Sequence, residues 1–219
     1  MEVKQAMIHQ GSLIRLRPEY EERYIILHKH TFPGVLSQIN KVNIRNYSIF
    51  LLEGILFSYY EYIGNDYAND MRTIADETTM EWRKLTDPMQ EPLPTRKKDE
   101  WWASMEQLSL IEENIKPYSK VKRQAWTAEI KSGTEITIRD FLLNVEKQLI
   151  QFFRQHHFQN QNIYFKDGKL YIYIEYTSND FSKDVQEFNN IRDVKKWNEK
   201  YEKNLITVWK KMNEVFHTD

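Results

Sequence analysis

The chain has no cysteine among its 219 residues. Disulfides, thiolate metal sites and cysteine nucleophiles are therefore excluded. Glycine is scarce, and none of the six glycines lies in a phosphate-loop or dinucleotide-binding pattern. A strong charge of one sign is also missing, since 31 basic residues balance 32 acidic ones and the formal net charge is −1. No field of the kind that attracts nucleic acid is present, so no nucleic-acid partner is expected.

Long hydrophobic runs are absent too. The longest, such as residues 49–52, are far too short to span a bilayer. The opening stretch MEVKQAMIHQGS lacks the apolar core of a signal peptide. We therefore expect a cytoplasmic protein without a membrane partner. The histidine pairs His28/His30 and His156/His157 have no neighbouring carboxylate pattern of the metal-binding kind, so no metal is expected.

The sequence does contain a repeat. The stretch EGILFSYYEYIGND at 53–66 is echoed by DGKLYIYIEYTSND at 167–180, with identity at seven of fourteen positions and a constant shift of 114. A gapless match of this length is improbable by chance, so we infer an internal duplication. At this length the chain can hold two units of about 110 residues each. We predict copies at 1–112 and 125–219, joined by a polar linker at 113–124.

Each copy has the pattern strand, helix, strand, tight turn, strand, helix, strand, which is the β-α-β-β-α-β order of a ferredoxin-like unit. Strands are predicted near 9–17, 45–52 and 55–63, and a helix over 18–39 bent at Pro33. In the second copy we expect a strand around 126–131 and a helix around 138–155. The pairs Glu53-Gly54 and Asp167-Gly168 predict primed hairpin turns, because glycine supplies a positive φ. Asp66 is predicted to cap a helix that begins at Tyr67.

The sheet face without helices would carry large side chains that favour burial, namely Phe57, Tyr59, Tyr171 and Tyr173. Packing the two sheets against each other would bury them. The predicted fold class is therefore α+β, with duplicated ferredoxin-like units forming an intrachain dimeric α/β-barrel. The expected state is a monomer with an internal pseudo-dimer, and further dimerisation is possible. Tandem units that do not pack together are the alternative.

The two copies differ at one polar pair. Tyr24 and His28 are four residues apart, so a helix places both on one face. At the repeat shift they fall on Ile138 and Leu142. A purely structural need would have been met in both copies, so the asymmetry favours a functional site in the first. The alternative is that His28 is an ordinary surface or core histidine.

Several short motifs, in order and spacing, point to a family. They are Leu16-Arg17-Pro18, Tyr24-x-x-x-His28, Phe32-Pro33, residues 46–50 (NYSIF), Leu56-Phe57, Trp82 and residues 86–89 (TDPM). On these motifs the N-terminal 112 residues resemble the L-rhamnose mutarotases, small dimeric α/β-barrel enzymes that interconvert the α and β anomers of the sugar.

The resemblance implies a role for each matching residue. His28 is implied to be the proton donor, with Tyr24 as its catalytic partner. Tyr47, Trp82 and Phe32 are implied to bind the sugar, although Trp82 would equally suit an ordinary core, since the second copy has Trp197. Two departures bear on specificity: Glu81 replaces the first residue of a Trp-Trp pair, and QEPLPTRKKDE at 90–100 replaces the family's sugar-contacting loop.

The implied chemistry suits these residue types. Mutarotation removes a proton from the anomeric hydroxyl and gives one to the ring oxygen, and histidine can exchange protons near neutral pH. The reaction needs no cofactor, so none is expected, and the expected partner is a small-molecule sugar. A non-catalytic sugar-binding or regulatory module of the same fold is the alternative. Monooxygenases and haem proteins also use α/β-barrels, but the sequence offers no specific support for either.

Overall fold

The computed structural model describes residues 7–112, 121–143, 158–177, 179–199 and 206–219. The chain divides into two compact units: Met1–Met105 with Asn213–Asp219, and Glu106–Met212. Both units are α+β, with helices and antiparallel strands arranged in the ferredoxin-like manner. No helix among these described residues is long and apolar enough to cross a membrane.

Up to Met105, the described residues of the first unit form five strands and four α-helices. These are β1 (Ile8–Leu16), α1 (Glu21–Lys29), α2 (Pro33–Lys41), β2 (Ile44–Leu52), β3 (Ile55–Tyr62), α3 (Tyr67–Thr73), α4 (Glu77–Thr86), β4 (Gln90–Glu91) and β5 (Ala103–Ser104). Short 3₁₀ turns at Pro18–Tyr20 and Asp87–Met89 follow β1 and α4. Strand β1 pairs with β3 and, at its other edge, with β4 and β5, while β2 lies on the far side of β3.

The single bent helix predicted over 18–39 is two helices. Chain direction changes between α1 and α2, where Phe32 adopts an extended conformation at φ −57° and ψ 130°. Pro33 explains the break, because proline disfavours helical geometry at the residue before it and is well accommodated in a first helical turn. The break ends α1 one residue after His28, so that histidine lies in the helix's last turn.

The second unit has the same kinds of element. Its described parts are β6 (Glu106–Glu112), β7 (Lys122–Glu129), helix α5 over residues 135–143, β8 (Phe158–Lys166), β9 (Lys169–Tyr176), α6 (Phe181–Asn189), α7 (Arg192–Trp197) and the first residues of β10 (Lys210–Thr218). Strand β7 begins four residues before the predicted 126, inside the predicted linker. The end of the predicted helix over 138–155, and the pair His156/His157, lie outside the described residues.

The compact units do not follow the predicted boundaries of the copies. Strand β6 follows the first copy in sequence, yet it pairs with β8 and belongs to the second unit. The last residues of β10, Asn213–Thr218, pair with β2 and belong to the first unit. Each unit is therefore completed by a strand from the other half of the sequence.

Both predicted hairpin turns are confirmed. Glu53 and Gly54 have φ values of 50° and 75°, and Asp167 and Gly168 have 50° and 74°. Positive φ at both central residues is the geometry of a type I′ turn, whose twist matches that of the flanking strands. Asp66 also caps α3 as predicted, accepting a hydrogen bond from the Asn69 amide at 3.1 Å.

A bulge in β2 decides which way Tyr47 faces. The pairing of β2 with β3 shifts register between Arg45 and Ser48, and Asn46 adopts a positive φ of 50°. The extra residue reverses the alternation of side chains along the strand. Ile44 before the bulge and Ile49 after it consequently pack into the same core, and Tyr47 joins them there.

Candidate active site

The first unit encloses a cavity of about 610 Å³ between its sheet and its helices. Four of the five predicted site residues line it: Tyr24, His28, Tyr47 and Trp82. Phe32 lies behind Trp82, with ring centroids 5.1 Å apart in an edge-on arrangement. Phe32 therefore supports the cavity wall through Trp82.

Tyr24 and His28 form the most closely packed pair in this wall. Both are buried on one face of α1, and their rings stack with centroids 3.9 Å apart. His28 Nδ1 lies 2.9 Å from the backbone carbonyl oxygen of Tyr24. Because a carbonyl can only accept, Nδ1 carries the proton and the neutral ring keeps its lone pair on Nε2. The hydrogen bond thus selects the tautomer in which Nε2 is a proton acceptor.

Burial sets the ionisation of this pair. Desolvation lowers the pKa of His28 to about 4, which the hydrogen bond to the Tyr24 carbonyl only partly opposes. Desolvation also raises the pKa of Tyr24 well above its usual value of 10, and that of Tyr47 to about 12. At neutral pH His28 is therefore an uncharged base, and both tyrosines keep their protons. The resemblance implies that His28 is the proton donor, and a neutral ring with its lone pair on Nε2 can donate from that atom once it has accepted a proton there.

Aromatic rings close the cavity around His28. The rings of Trp82 and Phe216 meet it edge-on, with centroids 5.2 and 5.7 Å away, and Phe216 also contacts Tyr47 at 5.5 Å. Phe216 comes from β10, almost two hundred residues beyond His28. The sequence carried a signal for it, because Glu214-Val215-Phe216-His217 resembles the usual closing strand of the mutarotase family, but periodicity could not bring it to this cavity.

The segment that replaces the family's sugar-contacting loop contributes directly to the cavity. Gln90, Glu100, Trp101 and Trp102 all line it. Trp101 and Trp102 directly follow this segment and both reach the cavity, although Trp101 remains 44% exposed. The Trp101 indole Nε1 donates to Gln90 Oε1 at 2.9 Å, and Gln90 Nε2 donates to the Tyr24 hydroxyl at 3.4 Å.

Three charged side chains are part of the cavity lining: Arg83, Asp87 and Glu100. Burial raises the pKa of Asp87, against the influence of Arg83. Burial acts in the same direction on Glu100, but hydrogen bonds from Ser104 and the Lys97 amide outweigh it, so the pKa of Glu100 is lowered and the carboxylate is ionised at neutral pH. Within the described part of the chain, no group of three histidine or acidic side chains is placed to hold a metal ion.

The five site residues predicted from the sequence fall within one matched segment. Residues 9–109 match the family model of the L-rhamnose mutarotases. The match confirms the resemblance found in the N-terminal 112 residues, and within it lie His28, Tyr24, Tyr47, Trp82 and Phe32. No curated protein matches the chain.

Solved structures resemble the chain over nearly its whole length. A candidate monooxygenase from Fusobacterium nucleatum has a TM-score of 0.58 and 10% identity, covering 97% of this chain and 94% of its own. A second, from Lactobacillus acidophilus, has a TM-score of 0.58 and 8% identity, covering 98% and 96%. At such low identity the likeness is one of fold. The mutarotase-like segment is what carries information about chemistry.

Proposed function

We propose that the chain is an aldose mutarotase that interconverts the α and β anomers of L-rhamnose or a related deoxy sugar. The observation that carries the proposal is the Tyr24–His28 pair, a neutral acceptor and a neutral donor stacked in one wall of the cavity. Both lie in the segment that matches the mutarotase family.

The pair can move the two protons that anomerisation requires. His28 Nε2 accepts the proton of the anomeric hydroxyl, the oxygen's electrons form the C1=O bond, and the C1–O5 bond breaks. The Tyr24 hydroxyl gives its proton to O5. After rotation about C1–C2, O5 attacks the other face of the aldehyde, and both protons return. The transient imidazolium and phenolate charges form side by side, so they stabilise each other; such acid–base catalysis contributes about 10²–10⁴-fold.

The lining of the cavity favours a deoxy sugar. Its apolar part includes Val35, Ile39, Ile49, Met71 and Ile74, beside the rings of Trp82 and Phe216. Flat aromatic faces and aliphatic groups suit the C–H side of a pyranose and a methyl group at C5. The polar groups of the lining, among them Gln10, Ser12 and Glu100, are suited to hydrogen-bond the hydroxyls.

A non-catalytic sugar-binding module is the second candidate, and the segment at 90–100 favours it. There the family's sugar-contacting loop is replaced, and Gln90 and Glu100 supply different polar groups to the cavity. The other departure, Glu81, forms a surface ion pair with Lys84 at 2.5 Å and both side chains are more than half exposed.

Saturation-transfer NMR of anomer exchange separates the two candidates. We expect accelerated exchange for at least one of L-rhamnose, L-fucose and D-ribose, and a loss of about 10²-fold or more in His28→Ala. His30→Ala is the matched control, because His30 lies two residues further on and is exposed. A module that only binds would show thermal stabilisation by a sugar without exchange. Full activity of His28→Ala would overturn the proposed mechanism.

We also propose that the second unit derives from a duplicated copy at 125–219 that lost the site. The hairpin registers support this, because Ser48 pairs with Tyr59 and Asn162 with Tyr173, each pair offset by 114. The places of Tyr24 and His28 are taken by Ile138 and Leu142, both buried in an apolar cluster. The intrachain barrel and the monomeric state stay predictions; light scattering on the purified chain tests the second.

A further inference from the structure

The hydroxyl of Tyr24 can act as a proton donor only if its hydrogen points into the cavity, and Gln90 controls where it points. Gln90 is buried at the start of β4, which pairs with the end of β1 through Leu16. Its amide lies between the indole of Trp101 and the phenol of Tyr24. The family match over residues 9–109 includes Gln90 and Trp101, but the segment at 90–100 is where the chain departs from the family's sugar-contacting loop.

The indole settles the orientation of the amide. A tryptophan Nε1–H can only donate, so the Gln90 atom 2.9 Å from it is the carbonyl oxygen. The other end of the amide, Nε2, must then face Tyr24. An amide NH₂ cannot accept, so in its 3.4 Å contact the Tyr24 oxygen is the acceptor. The proton of the phenol is consequently not directed at Gln90.

We propose that Gln90, held in one orientation by Trp101, is a positioning residue that keeps the Tyr24 hydroxyl as a hydrogen-bond donor toward the cavity. The inference rests on the function proposed above, in which Tyr24 protonates the ring oxygen. It gives the substituted segment a function: the segment orients the acid of the pair, while the Tyr24 carbonyl orients the base through His28 Nδ1. The Tyr24 hydroxyl is then a donor for O5, and His28 Nε2 is an acceptor for the anomeric hydroxyl.

Two isosteric substitutions test the proposal. Gln90→Met removes both hydrogen bonds, and Gln90→Glu keeps the acceptor for Trp101 but attracts the Tyr24 proton to its carboxylate. We expect kcat to fall about tenfold in Gln90→Met and further in Gln90→Glu, with smaller changes in KM. Glu91→Gln is the matched control, because Glu91 is the next residue of β4 and is exposed.

The Tyr24→Phe background, which lacks the phenol hydroxyl, distinguishes this positioning role of Gln90 from a purely structural one. In Tyr24→Phe, neither Gln90 substitution should lower the residual rate further, since there is no proton to orient. Losses of the same factor in both backgrounds would overturn the proposal. If the parent chain accelerates anomer exchange of no aldose tested, the proposed function fails. A separate measurement then decides the orientation of the Gln90 amide.

That measurement is the indole N–H signal of Trp101 in a ¹⁵N–¹H spectrum. The chain has six tryptophans, and Trp101→Phe identifies the signal by its disappearance. We expect the signal to move on Gln90→Met, which removes the acceptor, and to remain hydrogen-bonded in Gln90→Glu. An unmoved signal in Gln90→Met would show that Trp101 does not orient Gln90. A dispersed spectrum of each variant shows that it has folded.

Discussion

His28 owes its chemistry to burial. The rings of Tyr24, Trp82 and Phe216 pack around its side chain and exclude water. This desolvation lowers its pKa, and no carboxylate is among the causes of the shift. An imidazole so placed is easier to keep neutral than to protonate. Burial keeps His28 an uncharged proton acceptor at neutral pH. The same burial destabilises the folded protein in acid, where the imidazole would have to be protonated.

The pH dependence of stability follows from this pKa. Unfolded His28 titrates near 6.5 and folded His28 near 4, so between those values the unfolded chain binds more protons and stability falls as the pH falls. We expect this site to cost about 2 kcal/mol between about pH 7.5 and pH 5. Urea denaturation of the parent chain and of His28→Gln measures the difference. Equal pH dependence in both would show that His28 is not buried in its neutral form.

At the level of single residues, the sequence predicted the pair better than its surroundings. Tyr24 and His28 were found because helical spacing and the contrast with Ile138 and Leu142 are local signals. Gln90 and Trp101 were missed as site residues, because Gln90 contacts Tyr24 across 66 positions of the chain and Trp101 acts on Tyr24 through Gln90. The pattern of a single sequence does not show which residues so far apart along the chain are in contact.

The secondary-structure elements show how much local chemistry specifies. The type I′ turns follow from glycine's freedom at positive φ, and in each the glycine carbonyl accepts from a residue at or just after the end of the neighbouring strand, β1 or β7. The Leu16 amide donates to Gly54 at 2.8 Å, and the Ile130 amide donates to Gly168 at 2.7 Å. Each turn therefore fixes a third strand segment as well as the hairpin.

The two turns provide a matched pair of substitutions. Gly54→Ala and Gly168→Ala should each cost about 1 kcal/mol, because an L-residue is strained at these φ values. Gly54→Ala should cost at least as much as Gly168→Ala, since its Cβ would lie 3.4 Å from the Leu16 carbonyl oxygen while the other meets nothing within 4 Å. Denaturation curves compare them. A larger loss at Gly168 would show that the approach to Leu16 does not add to the strain at Gly54.

Helix and strand boundaries were predicted where a strong local signal exists. Asp66 capped α3 as expected, and Pro33 disturbed the helix as expected, although it divided it into two rather than bending it. The bulge at Asn46 was not foreseen, because a positive φ at asparagine is set by the neighbouring strand. That bulge directs Tyr47 into the core that surrounds the cavity.

At the scale of the whole molecule, the first unit depends on the end of the chain. Asn213–Thr218 pair with β2, and Phe216 brings its ring to His28 and Tyr47. Residues 9–109 match a family model, yet they include neither this strand nor this ring. The unit that carries the site is therefore not a continuous piece of sequence.

Truncation after Met212 tests this dependence. We expect the shortened chain to lose anomer exchange and to melt at a lower temperature, since β2 loses one of its two pairing partners and the cavity loses the ring of Phe216. Phe216→Ala keeps the strand and should cost about 3 kcal/mol through the space it leaves. Removal of Asp219 alone is the control, because β10 ends at Thr218. Parent-like exchange in the chain ending at Met212 would show that the site is complete without β10.

The sequence by itself determined the hairpins, their turns, the helical pair Tyr24/His28 and the family resemblance of the first 112 residues. Periodicity, turn chemistry and short motifs act over a few residues, so one sequence is enough to recognise them. Only the tertiary structure decided which strands complete each unit and that His28 is neutral. It also decided that Phe216 contacts His28, that Gln90 contacts Tyr24 and that Trp101 holds Gln90. These depend on distances between remote residues and on the exclusion of water, and both arise only when the chain is folded.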